Sequence, residues 1–338
     1  MHYIGLDHHR KFTQVAVIDS EDAVVLEMRM PNTLEAVQHL LSRLEPSPLA
    51  VVEAGPSWGW IYDTFQKLGV HIVLANPLQV RLIAETRCKT DRRDALTLAR
   101  LLRVGWIPKV HVGDSMTRLQ KQLWRERIWL VRMQTRLKNR IRRHLDHYHV
   151  TLPDLSDLFG QAGRAFLAAL KLPGPAHQML QTQLALLETY KEAVRDAQAL
   201  AQAATAHRPE VAYLKSLPGF GETFAPVAAL EIGDVSRFPD AAHLAAYCGL
   251  VPSVSSSGGM TYRGDTGPAG NHWLKWVFIE AAWSALRTMP SLRLRFDRIK
   301  QRRGSKIAIV ACARHLCEIA YSLLKQRRCF EERSLVYA

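Results

Sequence analysis

Asp91 and Asp94 stand three residues apart in CKTDRRDALTLARLL, residues 88–102. On a helix that spacing puts both side chains on one face, with Cβ atoms about 5–6 Å apart. Thr90 is placed to cap such a helix, so both acids fall in its first turn. Complementing the helix dipole is worth about 0.3–1 kcal/mol per charge. It leaves unexplained two further acids at the ends of apolar runs, Asp7 of YIGLD and Glu53 of AVVEA. Four carboxylates held together would repel by about 4 kcal/mol per pair at 4 Å and an effective dielectric of 20, unless cations sit among them. Magnesium suits such a set: it takes oxygen ligands, keeps waters, and in pairs clamps the attacking and leaving oxygens of a phosphoryl transfer. His8 and His9 follow Asp7 directly. Adjacent strand residues point to opposite faces, so at most one can face the acids. Both are expected at the surface or behind the ligands, not as ligands themselves.

The elements that would gather these acids occupy residues 1–110. HYIGLD, FTQVAVID and AVVLEMRM are short β-rich runs separated by turn-like residues, which predicts an antiparallel meander. TLEAVQHLLSRL has helical spacing, LAVVEA reads as a buried strand, WIYDTFQKL as a helix, VHIVLA as a strand and DRRDALTLARLL as a last helix. Three strands followed by alternating helices and strands is the order of a ribonuclease H-like α/β domain. In that arrangement Asp7 ends the first strand, Glu53 ends a central one, and both lie beside the start of the last helix.

Residues 111–205 turn helical. Leu123, Leu130, Leu137, Ile141 and Leu145 recur on one side of a long helix, and Leu180, Leu184, Leu187 and Val194 on one side of another, which predicts a helical hairpin or coiled coil. From Arg118 to Arg143 the first helix carries ten Lys or Arg against one acid, Glu126. Such charges repel one another, and with no internal partner expected, the face calls for an external anion. Arg118, Lys121, Arg125, Arg132, Arg136, Lys138, Arg140, Arg142 and Arg143 are therefore candidate nucleic-acid contacts.

Residues 206–338 are expected to be mostly helical. SLPGFGETFAPVAALEIGD has the turn of a helix-hairpin-helix element, in which Gly219 and Gly221 would let the backbone approach a phosphate, the alternative being a tight turn between two packed helices. YCGLVPSVSSSGGMTYRGDTGPAGN is rich in Ser and Gly, and on composition alone SSSGG reads as a flexible linker. WLKWVFIEAAWSALRTM and KIAIVACARHLCEIAYSLLK read as helices with RLRFDRIKQRRGSK between them. The second of these is cut by Arg314, His315 and Glu318, and the N-terminus has no apolar signal core, so neither a membrane span nor export is expected. Five cysteines without paired metal-site spacing read as reduced thiols of a cytoplasmic protein.

The charge balance names the partner class. With 45 Lys plus Arg against 31 Asp plus Glu, the 338 residues carry a formal charge of +14. An excess of this size favours polyanions, whose condensed counterions are released when phosphates meet Lys and Arg.

GLD at Asp7, EA at Glu53, KTDRRDA at residues 89–95, LPGFG, YCGLVPS, SSGG and GNHWLKWVFIEAAW, in this order, resemble the DEDD-type insertion-sequence transposases, the bridge-RNA-guided recombinases. The resemblance implies a RuvC-like (ribonuclease H-fold) catalytic domain, a coiled-coil segment that assembles subunits, and a C-terminal transposase domain supplying a serine nucleophile. By position it makes Asp7, Glu53, Asp91 and Asp94 a metal-binding tetrad for Mg²⁺, as two ions, and selects Ser257 as nucleophile, with Ser255 and Ser256 adjoining it. DHHRK after the first acid is bulkier than the small residue and Lys of many members. The implied activity is metal-dependent cleavage and exchange of DNA strands through a phosphoserine intermediate. The implied partners are donor and target DNA, a structured guide RNA and further copies of the chain, as dimer or tetramer. Alternatives are a DNA invertase of the same architecture, a hydrolytic junction-resolving nuclease using the tetrad alone, and a non-catalytic nucleic-acid-binding protein whose acids are helix caps.

Overall fold

Alternation along the first strands decides how the N-terminal unit is layered. The computed structural model describes residues 1–84, 90–252, 254–257, 260–264 and 270–331. Cys88, Lys89 of the KTDRRDA stretch and the glycines at 258 and 259 lie outside the described residues. The chain divides into two compact units, residues 1–112 and 113–338. The basic helical segment and the region expected from residue 206 onward both belong to the second.

In the first unit β1 (Tyr3–His8), β2 (Phe12–Ile18) and β3 (Val24–Pro31) form an antiparallel meander. They are followed by α1 (Leu34–Ser42), β4 (Leu49–Glu53), α2 (Trp58–Lys67), β5 (His71–Ala75), α3 (Pro77–Ile83) and α4 (Asp91–Arg103). The five-stranded sheet has the order β3-β2-β1-β4-β5, with β4 parallel to both β1 and β5. This mixed sheet with its helices is compatible with a ribonuclease H-like domain. Ile4, Leu6, Ala50, Val52, Ile72 and Leu74 point to one face, into a core shared with Val37 and Leu40 of α1 and Ile61 and Phe65 of α2. Val51 and Val73 point to the other face and meet Leu98, Leu101 and Leu102 of α4. The short α3, started by the Asn76 cap and Pro77, has no counterpart in the periodicity reading.

Gly5 sets the approach of α4. A Cβ there would meet the Ala95 backbone oxygen at 1.9 Å and the Ala99 nitrogen at 2.7 Å, so the helix rests directly on β1. Ion pairs strap it along the meander, Arg92 to Glu27 and Arg100 and Arg103 to Asp22.

The second unit holds α5 (Ser115–His147), α6 (Gln161–Ala169), α7 (Gly174–Thr205), α8 (Pro209–Lys215), α9 (Phe224–Ile232), α10 (Ala241–Tyr247), the hairpin β6 (Val254–Ser257) and β7 (Met260–Arg263), α11 (His272–Ala285), α12 (Pro290–Arg303) and α13 (Ser305–Gln326). The apolar stripe of α5 serves two cores. Leu137, Ile141 and Leu145 pack with Leu167 of α6 and Leu180 and Leu187 of α7. Trp124 and Ile128 enter a larger cluster with α9, α11 and α13. By length and composition α13 could cross a membrane, yet Ala308, Cys312, Leu316 and Leu323 place it in that cluster.

Two stretches differ from their sequence expectation. RLRFDRIKQRRGSK is mostly helix: Pro290 starts α12, Leu292 and Phe296 fall four apart on its buried face, and Gly304 at φ 81° stops it. The serine run is a strand and not a linker. Ser255, Ser256 and Ser257 pair with Tyr262, Thr261 and Met260.

Candidate active site

Asp7 is the last but one residue of β1, and Gly5, two residues earlier, touches α4. Strand alternation therefore turns the Asp7 side chain to the α4 face. Thr90 caps α4, its Oγ1 accepting from the Arg93 amide at 3.3 Å, which sets Asp91 and Asp94 in the first turn. Glu53 ends β4, and the register Leu6 opposite Val52 makes Asp7 and Glu53 the next positions on neighbouring parallel strands. Val51, on the same face as Glu53, packs toward α4. All four acids thus occupy one end of the β1–β4–α4 layer.

His9 stands inside this group. Its Nε2 lies 3.1 Å from Asp7 Oδ2 and 3.4 Å from Asp91 Oδ2, and the three side chains bring ligand atoms within 4.8 Å of one another. One histidine thus faces the acids, as alternation allows, and it touches Asp7 and Asp91 directly. Alternation sends His8 to the opposite face, where it stacks on Trp60, and leaves His9 beside Asp7. The turn that carries His9 is pinned from below. Asn32 Nδ2 donates to the His9 carbonyl at 2.8 Å, while the buried Thr13 hydroxyl donates to Asn32 Oδ1 at 2.7 Å. With its proton so used, Thr13 accepts from His8 Nδ1 at 2.8 Å.

Burial pushes the Asp7 carboxyl above the ordinary aspartate range; His9 pulls it back, and Asp91 and Asp94 push it further up. Burial, then the neighbouring His9, holds His8 below the usual histidine value. A partly buried carboxylate raised by two other carboxylates, with one imidazole among them, is a donor set that gains from a divalent cation.

In the second unit the basic helix finds the internal partner that its sequence did not suggest. Glu231 of α9, 4% exposed, lies 2.5 Å from Arg125 Nη2 and 3.4 Å from Lys121 Nζ. It also accepts from Asn271 Nδ2 at 3.0 Å. Burial pushes the Glu231 carboxyl up, but Lys121, Arg125 and Asn271 together outweigh it and hold the group below the ordinary glutamate value. Asn271 caps α11, its Oδ1 accepting from the Trp273 and Leu274 amides.

Residues 4–150 match the family model DEDD_Tnp_IS110, described as a transposase, and residues 211–297 match the transposase IS116/IS110/IS902 family. Together the two take in more than two thirds of the chain. The chain belongs to the IS110/IS116 family of DEDD transposases. It is similar to the putative transposase y4qE of Sinorhizobium fredii, 29% identical over 69% of this chain and 57% of that protein. A probable family 20 transposase of Pseudomonas aeruginosa is 25% identical over 97% of this chain and 98% of its own length. The pilin gene-inverting protein of Moraxella bovis is 26% identical over 78% and 75%.

Asp7, Glu53, Asp91 and Asp94 all fall in the stretch that matches the DEDD transposases, and Ser257 in the second matched stretch. The expected basic contacts of this transposase divide in two. Arg118 donates to the Gly113 carbonyl, Lys121 and Arg125 hold Glu231, and Arg132 lies over Trp273 and Trp276. Lys138 and Arg142 lie over Phe159. Arg136, Arg140 and Arg143 are exposed and make no ion pair among the described residues. Gly219, at φ 90°, meets the Ala281 carbonyl oxygen of α11 at 2.2 Å from where a Cβ would stand. Its missing side chain therefore serves helix packing and not approach to a phosphate. Gly221 has open space around its Cβ position.

Glu231 is the residue that the sequence reading missed; His9 it named, but not as a member of the donor set. His9 lies two residues from Asp7, a signal that was available. Glu231 lies more than a hundred positions from its cationic partners, and nothing local marks it.

Proposed function

We propose that this transposase-family chain cuts and exchanges DNA strands, with Asp7, Glu53, Asp91 and Asp94 holding Mg²⁺, as two ions, and Ser257 as nucleophile. The observation that carries the reading is the convergence of Asp7, His9 and Asp91 within 4.8 Å, in a stretch that matches the DEDD transposases. Bound divalent cations would neutralise the carboxylates and the charge on the scissile phosphate. Asp7 and Glu53, on rigid strands, fix one side of the site; Asp91 and Asp94, on the first turn of α4, fix the other. His9 bridges Asp7 and Asp91 and sets their spacing.

Ser257 Oγ attacks the scissile phosphorus. A P–Oγ bond forms, the serine proton passes to a base, the bond to one strand oxygen breaks, and that oxygen takes up a proton. The phosphoserine keeps the phosphodiester's reactivity. A hydroxyl of a second strand end attacks it, the new phosphodiester forms, and Ser257 leaves as a hydroxyl. The number of phosphodiesters is conserved, so resealing needs no ATP.

The excess of +14 supports polyanionic partners. The reading takes in donor and target DNA, with a structured guide RNA and a homo-oligomer on the strength of the motif resemblance. The similarity to both a transposase and a pilin gene-inverting protein favours inversion as the second reading. DNA trapped in mid-reaction should stay bound to protein after denaturation, with the adduct mapping to residues 252–263 and absent in Ser257→Ala. Cleavage that persists in Ser255→Ala, Ser256→Ala and Ser257→Ala alike would assign the reaction to water.

A further inference from the structure

The last turns of α5 present Arg140, Arg143, His144 and His147 at the spacing of one helix face, with Tyr148 as the capping residue. Together with Gln183 of α7 they line an open cavity of about 480 Å³. Bases near a helix C-terminus complement its dipole, but a dipole does not ask for a cavity or for three rings in one place. The Tyr148 ring lies 4.9 Å from His147, edge-on to it, and 5.4 Å from the tilted ring of His144. His144 Nδ1 meets Gln183 Oε1 at 3.3 Å, while its Nε2 is buried with no hydrogen-bond partner among the described residues. Lys138 and Arg142 are engaged with Phe159, whereas Arg140 and Arg143 make no ion pair among the described residues.

We propose that this groove takes an unpaired nucleotide of a single-stranded nucleic acid, its base against Tyr148 and its flanking phosphates on Arg140 and Arg143. Two arginines alone would suit a duplex backbone equally well. The ring cluster decides for a single strand, because bases in a duplex are stacked on each other and cannot reach a side chain, whereas a single strand offers its base faces to aromatic platforms inside a basic groove. The proposal rests on the reading of α5 as a nucleic-acid-binding helix and names the kind of strand that its far end holds.

The test uses the full chain with short single-stranded DNA and RNA carrying 2-aminopurine, and with duplex DNA. Stacking in the groove quenches the probe. Tyr148→Leu should abolish the quench and weaken single-strand binding roughly five- to hundredfold, the range for removal of one base–aromatic stack. Duplex affinity and melting temperature should hold, since Tyr148 is 40% exposed. Tyr148→Phe should keep the quench, and Arg140→Gln with Arg143→Gln should weaken binding to both forms. The stronger of the DNA and RNA signals names the strand. Equal single-strand affinity in wild type and Tyr148→Leu, with duplex binding intact, overturns this proposal alone. Failure of the wild-type chain to bind any nucleic acid overturns the reading of α5 along with it.

Discussion

The Cβ that Gly5 lacks would stand 1.9 Å from the backbone oxygen of Ala95. That contact seats α4 on β1 and so fixes where its first turn carries Asp91 and Asp94. Gly5→Ala must push the helix away, at about 1–3 kcal/mol for overpacking a well-filled site. Cleavage should fall by more than the drop in stability explains, while duplex binding persists. A variant with wild-type melting temperature and cleavage would show that this seat does not place the acids.

Removing a carboxylate from the cluster should separate activity from stability. Asp91→Asn and Asp94→Asn should abolish DNA cleavage. Asp91 is 53% exposed and its pair with His9 is a surface pair, worth about 0–1 kcal/mol, so melting without divalent cations should change little. Asp7→Asn should raise the melting temperature, because burial, with Asp91 and Asp94, works against the Asp7 charge by more than His9 favours it. The sign with pH follows. A folded-state pKa above the unfolded one makes ionised Asp7 most costly at neutral pH and relieves it as pH falls. The gain in Asp7→Asn should therefore be larger at pH 7 than near pH 4. Unaltered cleavage in the Asp91 and Asp94 variants would remove the tetrad from the mechanism.

Glu231→Gln should destabilise the second unit by about 3 kcal/mol at pH 7, since it strips a buried carboxylate from Lys121 and Arg125. The folded-state pKa of Glu231 is depressed, so its contribution is present above the unfolded value and is lost as pH falls through the folded one. The advantage of wild type over the variant should begin to shrink as pH falls past the unfolded glutamate value and vanish only below the lower folded-state one. Parallel pH profiles would refute the assigned protonation.

Exchanging Arg136, Arg140 and Arg143 for Gln should flatten the plot of log affinity for duplex DNA against log salt, by up to about 0.9 for each phosphate that is no longer neutralised. Lys121→Gln with Arg125→Gln should leave the slope nearly unchanged and lower the melting temperature instead. Equal slopes in the first variant and wild type would make this a merely solvated surface.

What the sequence made legible divides by range. The strands and helices that carry Asp7, Glu53, Asp91 and Asp94 follow from local periodicity and one cap at Thr90, and their order implied the sheet. The His9 contact depends on the side to which a two-residue step returns the chain, and the alternation rule contained it once Asp7 was placed. The partner of Lys121 and Arg125 was not legible. Charge counting along α5 sees only neighbours in sequence, whereas Glu231 and Asn271 reach it through tertiary packing. Gly219 shows the same limit: its glycine answers to Ala281, on a helix some sixty positions away.

The anchoring of α5 by Glu231 leaves that helix electrically lopsided. Its 33 residues span about 50 Å. Near one end two cations are compensated by a buried acid, and toward the other Arg136, Arg140 and Arg143 are not. In the field of a polyanion such a rod feels a torque as well as an attraction. Steering by that field would bring the far end of the helix to a polyanion first.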